Sequence, residues 1–166
     1  MLKEYVEAWY RNRDKLKTYF ETHTQEQYAE NYTDLLKTVI EVVINDPQKV
    51  LNVDGLIEHD SDDYQGDYIW LIPKVNAWPW VWDYMFCYIE YGSCSGCDTL
   101  LGIYQGYYET DGEFGDGKLP NPQRVRDYLY LSLQLLQNMR PLVTDEEYWA
   151  NEKFDAKPYM EPEREE

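Results

Sequence analysis

Apolar residues recur every three or four positions at the start of the chain. Leu2, Tyr5, Val6, Trp9, Leu16, Tyr19 and Phe20 mark one face of an amphipathic helix that only Arg13 interrupts. Thr24 with Gln27 three residues later has the form of a capping box, in which the two side chains satisfy the amide groups left open at a helix start. It predicts a second helix burying Tyr28, Tyr32, Leu35, Leu36, Val39, Ile40 and Val43, ended by Asn45, Asp46 and Pro47. The short connection predicts that the two helices pack antiparallel as a hairpin.

From Val50 to Tyr91 the period changes to two, and β-branched and aromatic residues stand in short runs between turn formers. Strands are expected near Gly55 to His59, Gly66 to Ile72 and Val81 to Tyr91. In the third, Trp80, Trp82, Tyr84, Phe86 and Tyr88 alternate with Val81, Met85, Cys87 and Ile89, which predicts that both faces are covered. Pro73 to Pro79 gives a hairpin-length connection, so the sheet should be largely antiparallel.

Beyond Tyr91, Asp98 is expected to cap a short helix, and Glu109 to Lys118, rich in Gly and acid, should be a loop. Asn121 and Pro122 open another helix, with Val125, Tyr128, Leu129, Leu133, Leu136 and Met139 as its apolar stripe and Pro141 as its stop. Thr144 with Glu147 predicts a last short helix. The expected fold class is therefore α+β: a small antiparallel sheet of about three strands, an N-terminal helical hairpin and C-terminal helices. Residues 1–157 form the single domain expected of such a length, and 158–166 a fraying acidic tail.

Charge changes this picture more than composition does. The 166 residues carry a formal charge of −17, unevenly spread: Val50 to Gly117 holds thirteen acidic residues and one base, Lys74, while both flanks are close to balanced. Nucleic-acid phosphates and anionic lipid would be repelled, which argues against direct nucleic-acid or membrane binding. No apolar run is long enough to span a bilayer, and the first residues lack the apolar centre of a signal peptide. With three cysteines in no framework spacing, a reducing, cytoplasmic location is expected.

Within the acidic middle, Glu58, Asp60, Asp62, Asp63 and Asp67 fall together with Tyr64 and Tyr68 interleaved, and Asp111, Glu113 and Asp116 form a second group. Such carboxylates can simply keep a surface solvated. They can also steer a basic partner, with tyrosines supplying planar contact area. A calcium loop starting at Asp60 fails, because Gln65 stands where a Gly is needed and Leu71 where a bidentate Glu is needed.

Cys94 and Cys97 form an isolated CxxC at the expected strand-to-helix junction. Helix amides there would lower a thiol pKa, whereas Asp98 and the surrounding negative potential would raise it. A zinc site would need further ligands, with His59, His23 or Cys87 as the candidates, although alternation places Cys87 in the core. A phosphate loop is excluded by the missing Lys, and Ser93 and Ser95 lack a nucleophile-elbow frame.

The stretch Asp63 to Ile72, DYQGDYIWLI, followed by Tyr91 to Leu100, YGSCSGCDTL, resembles a group of phage and bacterial proteins sharing a YQG strand and a YGSCSGCD turn. That resemblance implies a phage or mobile-element origin and transfers no catalytic residue. By class, a small acidic phage protein is similar to inhibitors of host enzymes, including anti-CRISPR and DNA-mimic proteins. The expectation is a non-enzymatic protein that presents its acidic middle to a basic, nucleic-acid-handling host protein and needs no cofactor. The alternative is a thiol-redox or zinc protein centred on Cys94 and Cys97.

Overall fold

The computed structural model describes residues 2–23, 31–61, 65–76, 78, 80–93, 98–106 and 122–143. Helix α1 runs from Leu2 to Thr22 and buries Tyr5, Trp9, Leu16 and Phe20, as its stripe requires. Helix α2, Tyr32–Val39, opens at Asn31 and not at Thr24. The reason is local: the Asn31 side chain accepts from Asp34 N at 3.1 Å and takes the N-cap itself. Thr24, Gln27 and Tyr28 lie outside the described residues.

Past Val39 the helix widens into a π-helical turn, Ile40–Ile44, whose Ile40 and Val43 are buried. Asn45 ends it, and its side chain is buried and fully used. It donates to Leu51 O at 2.8 Å and accepts from Val50 N and Leu51 N at 2.9 Å. This fixes the chain reversal through the cis Asp46–Pro47 bond and delivers Leu51 to a bridge with Lys74. Asn12 Nδ2 donates to Val43 O at 2.8 Å, joining α1 to the π-helical turn.

The sheet has four antiparallel strands in the order β1-β2-β3-β4: Ile57–Asp60, Gly66–Pro73, Tyr84–Tyr91 and Arg140–Pro141. Four replaces the expected three because the two-residue β4, pairing Met85 with Pro141 and Phe86 with Arg140, is too short to leave a periodic signal. Pro141 is thus an edge-strand residue, where a missing N–H is tolerated. β1 begins later than expected, since Val53–Gly55 forms a 3-10 turn closed by Gly55 N to Asn52 O. β3 begins later for a similar reason. Val81–Asp83 is a 3-10 turn, and the side chains of Trp80 and Trp82 stack on each other at 5.2 Å instead of following one another along one face of a strand.

Helix α3, Thr99–Gly106, and helix α4, Pro122–Gln137, are the remaining helices among the described residues. α4 starts at Pro122 as expected and packs extensively on α1. The helices cover one face of the sheet, burying Trp70, Ile72, Met85 and Cys87 against Leu35, Leu36, Tyr128 and Leu135. Among the described residues, only that face is covered. On the other, Ile57 is 53% and Tyr88 43% exposed, which corrects the expectation that both faces of the third strand are buried. The segments expected as the 109–118 loop, the helix at Thr144 and Glu147, and the 158–166 tail lie outside the described residues.

Candidate functional site

Strand alternation splits the acidic group that the sequence places together. In the register, Asp60 faces Tyr68 and Glu58 faces Trp70, all on the helix-covered side. His59, paired with Ile69, and Asp67, paired with Glu90, belong to the open side. Asp62, Asp63, Tyr64, Asp111, Glu113, Asp116, Cys94 and Cys97 lie outside the described residues.

On the covered side, where β2 begins and β3 ends, a cleft of about 310 Å³ opens beside the helices. Asp60 and Tyr68 line it together with Tyr32 of α2, Tyr91 of β3 and Asp98 at the start of α3. Two carboxylates are held there by tyrosine hydroxyls: Tyr91 donates to Asp60 Oδ1 at 2.7 Å and Tyr32 to Asp98 Oδ1 at 3.0 Å. Bonds to an ionised acceptor are the stronger kind, and they orient the carboxylates before any ligand arrives. Asp98 also accepts from Leu101 N at 2.7 Å, so it caps α3 as its position in the sequence predicts. Leu100 N donates to Tyr32 Oη at 3.0 Å, closing a buried network between α2 and α3.

The tyrosine rings form one continuous surface. Tyr68 lies flat on Trp70, with centroids 5.5 Å apart and planes 4° apart. Tyr32 and Tyr91 flank it at 5.7 and 5.1 Å, tilted by 48° and 44°. Trp70 is anchored in turn, donating from Nε1 to Thr33 Oγ1 at 2.7 Å, while the Thr33 hydroxyl donates to Glu58. Burial first, and then the Asp60 carboxylate, push the Tyr68 hydroxyl well above its ordinary range. Burial does the same for Tyr32, with Asp98 adding to the rise. Both stay neutral donors at physiological pH.

Gly66, the glycine of the YQG stretch, makes this geometry possible. A Cβ there would lie 2.0 Å from Ser61 Oγ and 2.7 Å from Tyr91 Oη. Ser61 Oγ accepts from Asp67 N at 3.0 Å and closes the β1–β2 hairpin, so a glycine lets hairpin and tyrosine hydroxyl share the same space.

The open side is built differently. Asp67, Ile69, Phe86, Tyr88, Glu90 and Arg140 line a shallow groove of about 260 Å³, with the Arg140 guanidinium 5.0 Å from the Phe86 ring centroid. His59 is exposed on this side, turned away from the cleft that Gly92, Ser93 and Asp98 line. Among the described residues no group of three or more His, Cys, Asp or Glu is placed to hold a metal ion. Cys87 sits in the core, its thiol donating to Leu135 O at 3.4 Å and pushed up to about 12 by burial, so it is an inert packing residue as its alternation predicts.

Tyr32, Tyr91 and Asp98 were not candidates from the sequence. Tyr32 is indistinguishable from the other members of its apolar stripe, and Tyr91 and Asp98 flank the cysteine motif that drew the chemistry elsewhere. No known protein family, curated protein or solved structure matches the chain.

Proposed function

We propose that this is a non-enzymatic interaction protein whose acidic sheet end binds a basic protein, one that ordinarily handles nucleic acid. The observation that carries this reading is the convergence of Asp60 and Asp98 with three tyrosines in one cleft at that end. It joins negative charge to planar contact area, the combination that suits lysine- and arginine-rich surfaces. The distribution of partners inside the molecule supports the same reading. Five ion pairs fall within residues 1–49, where Lys3, Arg13, Lys15, Lys17 and Lys49 lie against neighbouring acids. The acidic middle has Lys74 as its single base, and the Lys74 ammonium is directed to Trp82 O. The class analogy with inhibitors of host defence enzymes supplies the kind of partner to test first.

The test is capture of basic proteins from bacterial lysate at low and high salt, comparing two triple variants of equal charge loss. Asp60, Asp62 and Asp63 to Asn neutralises the cleft carboxylate Asp60 and its sequence neighbours in the acidic hairpin, whereas Glu4, Glu7 and Asp14 to their amides neutralises exposed positions of α1. Screening acts over about 10 Å at 0.1 M salt, and peripheral charges chiefly set the association rate. Capture should therefore slow with salt and with the hairpin variant, and persist with the α1 variant. Loss of capture in the α1 variant alone would put the interaction surface on the helical end and reject this reading.

A further inference from the structure

The sheet carries an unused edge, and we infer that it binds an extended, lysine- or arginine-containing segment of the basic partner, added as a strand beside β3 in line with β4. This deepens the proposed function and rests on it for the basic character of the partner.

Backbone direction defines the edge. In an extended strand, residues two apart aim their N–H and C=O groups at the same neighbour. Tyr84 O accepts from Leu142 N at 2.9 Å, Phe86 pairs with Arg140, and Tyr88 O accepts from Asn138 Nδ2 at 3.1 Å, so the even-numbered residues of β3 face β4. β4 has only two residues, while β3 runs on to Tyr91. The N–H and C=O of Glu90 and the N–H of Tyr88 therefore point past the end of β4, and no backbone group of the described residues pairs with them there. The Asn138 amide stands in for a strand residue at Tyr88 O. Beyond it the ladder stops.

Hollows lie on both sides of this bare edge. On the open side is the groove of about 260 Å³ that holds Asp67, Tyr88 and Glu90. On the helix-covered side a second hollow, of about 360 Å³, separates β3 from the last turns of α4, with Thr99, Gln134, Gln137 and Asn138 as its polar wall. Both share Tyr88 and Glu90. A strand laid along the edge sends successive side chains to alternate faces and so fills both hollows at once. A single side chain or a compact ion fills one.

The two linings set the chemistry. A residue placed opposite Glu90 shares its face, where Asp67 and Glu90 stand at one rung with like charge, and a lysine or arginine there relieves their repulsion. The residues before and after it turn to the covered side, where the exposed amides of Gln134 and Gln137 and the Thr99 hydroxyl suit short polar side chains. A second copy of the chain is disfavoured as the occupant, because it brings the same formal charge of −17 to an edge already guarded by a carboxylate.

The probe is the synthetic peptide acetyl-Val-Thr-Lys-Thr-Val-amide, titrated into the isotope-labelled full chain and followed by amide chemical shifts and hydrogen exchange. Its control is the same peptide methylated on the lysine backbone nitrogen, which keeps charge and composition but removes the N–H that must donate to Glu90 O. A segment of this size should bind with a Kd of roughly millimolar. Saturable shifts at Tyr88, Glu90 and Gln137 and slower exchange of the Glu90 N–H are expected with the parent peptide, and neither with the methylated one. Glu90→Gln should weaken binding about two- to five-fold, the reach of one exposed ion pair. Equal binding of the two peptides, or shifts confined to Ile57–Asp60 or to the cleft around Tyr32 and Asp98, would overturn the inference. So would a dimer in sedimentation whose Glu90 N–H is protected before peptide is added, since the edge would then belong to a second copy. Such a failure leaves the broader reading standing, because capture through Asp60, Asp62 and Asp63 does not use this edge, whereas peptide pairing without hairpin-dependent capture would reject that reading alone.

Discussion

Each face of the sheet has a hollow lined by two carboxylates beside aromatic rings, and the two hollows hold them in opposite ways. On the covered side, Asp60 and Asp98 accept from Tyr91 and Tyr32, and Asp98 is 7% exposed. On the open side, Asp67 stands directly across from Glu90 in the β2–β3 register, two like charges at the same rung. The first arrangement depends on the helices: α2 brings Tyr32 and α3 brings Leu101 N to a carboxylate that the strands alone could not satisfy. The second is what a sheet does unaided, where like charges placed opposite each other repel and are tolerated because water screens them. Two carboxylates beside aromatic rings thus give one preorganised cleft and one loosely charged groove. Position relative to the helical layer separates them.

The largest expected contrast is in stability. Asp98→Ala removes the cap of α3 and leaves the buried Tyr32 hydroxyl without its acceptor, so it should cost about 2–4 kcal/mol. Glu90→Ala, on the open side, should change stability by less than about 0.5 kcal/mol. Urea unfolding of both variants measures the difference, and similar values would erase the distinction between the faces.

Alkali should act on the covered side as well. The hydroxyls of Tyr32 and Tyr68 are raised above the ordinary value of 10.0, Tyr5 is raised to about 12, and Cys87 is raised from 9.0 to about 12. Because each folded-state value exceeds its unfolded one, the native chain holds more protons than the unfolded chain between the two. Their contribution is fully present below pH 9 and is lost as pH rises through 9 to 12. The urea midpoint should fall steadily across that window, and a midpoint that stays level would remove the burial argument for these groups.

Gly66→Ala tests the narrowest point of the design. The added methyl must displace Ser61 Oγ or the Tyr91 hydroxyl, and overpacking of this kind costs about 1–3 kcal/mol. The accompanying sign is specific: the Tyr91 hydrogen bond to Asp60 and the Asp67 N hydrogen bond to Ser61 Oγ should both be lost. Retention of both would show that the hairpin can relax around a side chain.

Much of the fold was legible in the sequence because periodicity reports burial directly. The α1 stripe, the start of α4 at Pro122, the Asp98 cap and the inward Cys87 all follow from local spacing. What was not legible depends on contacts distant in sequence. β4 exists only because Arg140 and Pro141 reach β3 after a whole helix has intervened. Asn31 takes the start of α2 because its own side chain folds back on Asp34 N. For the site, Asp60 and Tyr68 were visible as an acid beside an aromatic, yet their neighbours in sequence fall on the opposite face. The partners that complete the cleft come from 66 positions apart, the separation of Tyr32 and Asp98.

The smallest effect is the one most specific to the comparison. If Asp67 and Glu90 repel across the rung, Asp67→Asn should raise stability by about 0.2–1 kcal/mol, the range measured for cross-strand pairs. Added salt should reduce that gain, since it screens the same repulsion in the parent protein. Arg140 does not remove the effect, because it is held over Phe86 and reaches this rung only along the groove. The equivalent change on the covered side, Asp60→Asn, should lower stability, as the amide is a weaker acceptor for the Tyr91 hydroxyl. Opposite signs for the same Asp-to-Asn change, measured by thermal unfolding at low salt, would separate the two faces. A loss of stability in both would mean that the open-side pair is held by an attraction, and that the groove is as organised as the cleft.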